Sequence, residues 1–136
     1  MGYILLLGVA LLFFVLWLYS EWNVKRKIND AFIGRESLSN ETFYTIYFKE
    51  TGISKQVVNG VKQVLEEQLA ADLSRLSAED DFSKNLNFFW ELDSLADVEI
   101  IIALEEKFNI KIEDFEAEQT FTVRDIVNLV SDKLGN

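Results

Sequence analysis

No charged side chain interrupts the chain from Met1 to Ser20, and Tyr3 to Tyr19 is almost wholly Leu, Ile, Val, Phe, Ala and Gly. A run of this length and character predicts one membrane-crossing helix over residues 1–20, at the short end of the roughly 17–25 residues that a bilayer requires. Residues 21–38 then scatter Val24, Ile28, Phe32 and Ile33 among charges, which reads as a juxtamembrane helix fraying into a linker. In "SNETFYTIYFKETG" Ser39 or Asn40 can cap, Phe43, Ile46 and Tyr47 recur at helical spacing, and Gly52 suits the residue after a helix end. A longer amphipathic helix opens at Ser54, with Val57, Val61, Val64, Leu65 and Leu69 on one face. Gly60 weakens it by about 1 kcal/mol relative to Ala. Residues 71–93 hold no period and carry only spaced apolar residues, Leu73, Leu76, Phe82 and Leu86, as a long pinned loop would. The strongest helical pattern beyond the first helix is Ser94 to Phe108, where Leu95, Val98, Ile101, Ile102 and Leu104 are expected to be buried by neighbours. One helical turn is expected around Asp114 to Glu118. Thr122 then caps a last helix, with Asp125 completing a capping box and Val123, Ile126, Val127 and Val130 pointing inward.

The pattern predicts an all-α protein: a bundle of three main helices plus one short helix, preceded by a transmembrane helix and a short aromatic helix. Its expected organisation is a span at 1–20, a juxtamembrane linker with the aromatic helix at 21–52, and the bundle at 53–136.

Charge adds direction. Lys25, Arg26 and Lys27 follow the apolar run and nothing basic precedes it, which places the C-terminal part on the cytoplasmic side of a single-pass membrane protein. Tyr3, Trp17, Tyr19 and Trp22 lie at the two ends of the run, where aromatic rings favour the headgroup layer. A cleaved signal peptide is the competing reading; it lacks here a charged n-region and a small-residue cleavage site. The "MGYILL" start puts Leu where a myristoylation signal needs Ser or Thr. Of the net charge of −10, most belongs to residues 91–136, which hold four basic against twelve acidic side chains. Such a surface is a poor match for nucleic acid and a good one for a basic protein face.

The chain contains no Cys, His or Pro. Disulfides and cysteine-based metal or redox sites are excluded, and a Ser-His-Asp apparatus cannot be assembled. No metal site and no catalytic constellation is expected, so the chain reads as a non-enzyme.

Ser94 is the pivotal residue. By local pattern Ser94-Leu95-Ala96-Asp97 is a capping box, with the serine hydroxyl bonding an otherwise unpaired amide. The wider sequence offers a second role: "DSLADVEIIIALEEKFNIKI", then "EAE", "TFTV" and "RDIVNLV", resembles the acyl carrier protein family over residues 54–134, most closely over 93–130. The resemblance implies that Ser94, in its Asp93-Ser94-Leu95 motif, carries 4′-phosphopantetheine taken from coenzyme A by a phosphopantetheinyl transferase. It further implies docking roles on basic surfaces of synthases or acyltransferases for Asp93, Asp97, Glu99, Glu105, Glu106 and Glu118. Val98, Ile102, Ala103 and Phe108, core residues in the first place, would also line an acyl-chain cavity. Since the chain owns no thiol, acyl groups held as thioesters would need the sulfur of such a group.

Departures accompany the resemblance. "NFFWEL" separates Leu86 from Asp93, an insertion of about four residues. Phe88, Phe89 and Trp90 are expected to plug onto the aromatic helix at Phe43, Tyr44, Tyr47 and Phe48, or else to meet a membrane or partner. Glu113 stands where a proline is common. The implied function is a membrane-anchored acyl carrier serving lipid or polyketide enzymes; the alternatives are an aminoacyl carrier and a carrier-like interaction module whose serine only caps its helix.

Overall fold

The computed structural model describes residues 2–92 and 94–135. Seven α-helices follow in chain order: α1 (Gly2–Ala31), α2 (Asn40–Tyr47), α3 (Lys55–Leu69), α4 (Phe88–Leu92), α5 (Ala96–Phe108), α6 (Asp114–Glu118) and α7 (Val123–Lys133), with a 3₁₀ turn at Lys49–Thr51 and no strand among the described residues. The chain divides into two compact units, residues 1–33 and 34–136.

The first unit is α1. The apolar run and the expected juxtamembrane helix are one continuous helix of thirty residues, about 45 Å long, which ends at Ala31. Residues 21–31 contain neither Gly nor Pro, so nothing in them stops propagation. Every large apolar side chain from Tyr3 to Trp22 is exposed. The Arg26 guanidinium covers the Trp22 ring one turn back, 5.7 Å from its centroid.

The second unit is a helical bundle in which α3 packs against α5, α7 and α2. Val57, Val58, Val61, Val64 and Leu65 of α3 meet a core completed by Ile100 and Leu104 of α5 and Val123, Val127 and Val130 of α7, all buried. Ser39 caps α2 by accepting from the Thr42 amide, and Ser54 caps α3 by accepting from Val57. α2 buries Phe43, whose ring lies 5.1 Å from Tyr47 and 5.9 Å from Phe48.

The loop after α3 is held at both ends of its length. Asp80, with only 3% of its side chain exposed, takes both Arg35 guanidinium nitrogens at 2.8 Å, and also accepts from the Ser77 amide and the Asn85 side-chain amide. Four donors match the acceptor capacity of one carboxylate. The same loop closes the N-terminus of α7: the Val123 and Arg124 amides donate to the Asp80 and Ala78 carbonyls, and the Asp125 amide to Thr122 Oγ1. Amides that a helix start leaves without intrahelical partners are thereby satisfied.

The end of the loop departs from expectation. Residues 88–92 form the single turn α4, and its rings meet one another and Phe82: Trp90 stacks on Phe82 at 5.1 Å, Phe82 also meets Phe89 at 6.5 Å, and Phe88 packs on Phe89 at 4.3 Å. Phe82 is fixed there by its amide, which donates to the Phe121 carbonyl at 2.9 Å, so the insertion packs on its own loop.

Candidate functional site

α5 begins at Ala96, and Ser94 and Leu95 form the turn before it. The capping-box expectation for Ser94 is corrected at this point. Leu95 stands at the cap position, with no side-chain hydrogen bond closing the helix start among the described residues, and Asp97 Oδ1 accepts from its neighbour Val98 at 2.8 Å. Ser94 is exposed, so its hydroxyl is presented at the N-terminal end of a thirteen-residue helix. That end bears the positive pole of the helix dipole and favours an attached anion. Asp93 lies outside the described residues.

The helix turns inward only part of the face expected: Leu104 is buried and Ile101 half-buried, as the pattern predicts. Ala96, Ile100 and Leu104, four residues apart, are buried, whereas Leu95, Val98 and Ile102 are 60%, 50% and 49% exposed. At about 100° per residue, Leu95, Val98, Glu99, Ile102 and Glu106 share the outer face. The structure therefore gathers an apolar strip interleaved with two exposed carboxylates, running away from Ser94.

The remaining candidates separate from this strip. Asp97 is exposed on the far side of the helix from Glu99. Glu105 is half-buried and closes the following loop, its Oε2 accepting from the Ile112 amide at 3.1 Å. Glu118 is exposed on α6, beside a chain segment that also exposes Phe115 and Phe121. Ala103 and Phe108 face inward and are half-buried, so Val98, Ile102, Ala103 and Phe108 are not brought together around one space. Phe108 lines a groove of about 650 Å³ together with Ser54, Val57, Gly60, Lys107 and Leu134 among others.

Sequence reasoning missed what Gly60 is for. A Cβ at that position would lie 2.6 Å from Phe108 Cζ and 3.2 Å from Lys107 Cε, so the missing side chain is what lets α3 and α5 approach. Glu113, in place of a proline, supplies an amide that donates to Glu116 Oε2 at 2.9 Å and starts α6; proline has no such donor. Glu116 also pairs with Lys133 of α7 at 2.7 Å, and that ammonium holds its carboxyl below the usual carboxylate range. No cluster of metal-ligating side chains occurs among the described residues.

No family model matches the chain. Among curated proteins it is 37% identical over 80 residues to an acyl carrier protein of Thermosynechococcus vestitus, a match covering 59% of this chain and 94% of that protein. It is 48% identical over 67 residues to an acyl carrier protein of Helicobacter hepaticus, covering 49% and 83%, and 43% identical over 72 residues to one of Helicobacter pylori, covering 53% and 87%.

Proposed function

Since the chain belongs to the acyl carrier protein family, whose members are carriers and not enzymes, we propose that it carries acyl groups as thioesters on 4′-phosphopantetheine attached to Ser94. The observation that supports this most directly is the exposed Ser94 at the start of α5, in an Asp-Ser-Leu motif, with the cap position taken by Leu95. A hydroxyl exposed at a helix N-terminus is accessible to a transferase, and the phosphodiester it would form is favoured there by the helix dipole. The group would supply the thiol that the sequence lacks.

The outer face of α5 is the proposed docking surface. Leu95, Val98 and Ile102 offer an apolar strip, and Glu99 and Glu106 flank it with negative charge suited to basic patches on a phosphopantetheinyl transferase and on acyl-processing synthases or acyltransferases. Asp97 on the other side of α5 and Glu118 on α6 are further exposed carboxylates that a basic partner could meet, and Asp93 precedes the motif serine in the sequence. Ala103 and Phe108 face the bundle interior, the side on which a carried chain would be sheltered.

α1 is the proposed membrane anchor. It is the one described helix long and apolar enough to cross a bilayer, and an exposed apolar surface of that extent is not stable in water. Lys25, Arg26 and Lys27 after it favour a cytoplasmic carrier. The cargo would then be concentrated near enzymes of lipid metabolism at the membrane.

The deciding experiment is intact-mass spectrometry of the full chain in detergent, incubated with coenzyme A and a broad-specificity phosphopantetheinyl transferase, beside a Ser94→Ala control. One phosphopantetheine on the parent and none on the control is the expected result. No addition by any competent transferase to a folded chain would make it an unmodified interaction module, and loading of the modified chain with amino acids in preference to acyl groups would make it an aminoacyl carrier.

A further inference from the structure

Between the apolar run and α3 lie more than thirty residues, enough for a long tether if they were loose, and the structure shows that most of them are built into folded elements. α1 continues to Ala31, and the Phe32 amide still donates to the Ile28 carbonyl at 3.0 Å. From Arg35 onward the chain is bound to the bundle. Arg35 forks onto Asp80 at 2.8 Å, and the Leu38 amide donates to the Ser74 carbonyl at 2.7 Å. Lys55 of α3 pairs with Glu41 of α2 at 2.6 Å, and Arg124 of α7 donates to the Tyr47 carbonyl at 3.1 Å while lying over the Phe48 ring. Just three residues, the buried Phe32, Ile33 and Gly34, separate the end of α1 from Arg35, and Gly34 has φ 77°.

Covalent geometry then sets a limit independent of orientation. From Ala31 to Arg35 the chain spans at most about 14 Å, and the polar end of α1, residues 21–31, adds about 16 Å. A flexible linker of thirty residues would instead have an r.m.s. span of about 30 Å and could extend to about 100 Å. We infer that a three-residue connection holds the carrier bundle at the bilayer surface, so that the partners it serves are acyl-processing enzymes resident in or on the membrane and not soluble synthases. This inference rests on the reading of α1 as a membrane anchor. Confinement within some tens of ångströms raises the effective concentration for partners in the same membrane and denies the reach that a soluble complex needs.

The absence of cysteine makes a direct test simple. Full-length Ser94→Cys, labelled with a single donor dye, is reconstituted into vesicles of phosphatidylcholine and phosphatidylglycerol carrying acceptor dye on a fraction of headgroups. It is compared with the same variant holding a Gly-Ser insertion of about 20 residues after Gly34, whose r.m.s. span is about 25 Å. Energy transfer from the dye should be strong in the first and fall about twofold or more in the second, and a label at the exposed position Lys49→Cys should show the same order. Equal transfer with and without the insertion, at both label positions, would overturn the short-tether inference while leaving the anchor intact. Failure of the chain to float with the vesicles would overturn the anchor and the inference together.

Discussion

Ala70 ends α3 in the left-handed region at φ 48°, where its Cβ crowds the backbone. Ala70→Gly removes that strain and should stabilise the fold by about 0.5–1 kcal/mol after the extra chain entropy of glycine is counted. Chemical denaturation of the two proteins measures it, and a loss of stability would show that the cap is not strained. Asn109 ends α5 at φ 52° with far less cost, since asparagine tolerates that region. Asp80 is the opposite case, a side chain that accepts four hydrogen bonds from three residues. Asp80→Ala leaves Arg35, Ser77 and Asn85 donors without their acceptor and should cost about 2–3 kcal/mol, less than a fully buried pair because Arg35 is partly solvated. A change under 1 kcal/mol in urea midpoint analysis would remove Asp80 as the pin of the loop.

Among the elements, the α3–α5 contact depends on one missing methyl group. Gly60→Ala gains about 1 kcal/mol of helix propensity, but its Cβ meets the Phe108 ring at 2.6 Å. In the parent background the clash should win and lower the melting temperature. With Phe108→Ala in place the same change should stabilise, and the double-mutant cycle should show a coupling of about 1 kcal/mol or more. Additive effects would mean that the ring moves aside freely and that Gly60 has no packing role. The element most poorly read from the pattern was α5. The spacing of its large apolar residues marked a helix, yet periodicity alone cannot say which side of a helix with apolar residues on most of its circumference meets a neighbour, and the small Ala96 proved to be inside while Leu95 stayed outside.

At the scale of the whole molecule, pH acts through a few carboxylates against a background of excess negative charge. Asp72 is held below its ordinary value of 3.8 first by the Ser74 amide, Asp81 below 3.8 first by the Ser83 hydroxyl, and Glu116 below 4.5 first by the Lys133 ammonium. A depressed carboxylate pKa means that the unfolded chain binds the proton more readily. Its stabilisation is therefore complete above these ordinary values and disappears as pH falls through the folded ones. Acidification from neutrality first relieves self-repulsion among ten net negative charges. Thermal melts followed by circular dichroism at low salt should show stability rising slightly to about pH 5 and collapsing below about pH 4. Lys62 works at the other extreme. Burial lowers its pKa from 10.5, so its penalty is present at neutral pH and is relieved as pH rises through the folded value towards 10.5. A melting temperature that kept rising below pH 4 would show that these hydrogen-bonded carboxylates contribute nothing.

Composition and periodicity alone determined the all-helical class, the apolar first helix and the caps at Ser54 and Thr122, and narrowed the cap of α2 to Ser39 or Asn40, because each is written in near neighbours along the chain; the motif serine came from the resemblance to a known family. They could not determine where α1 stops, since a run of ordinary helix formers has no local signal before Gly34. Nor could they show that residues 35–53 belong to the bundle, because Arg35 meets Asp80 forty-five positions away and Tyr47 meets Arg124 seventy-seven away. The inward side of α5, the close approach at Gly60 and the partner of Phe82 are of the same kind. Each is a choice among sterically possible contacts, and only packing all the helices together decides which contacts are made.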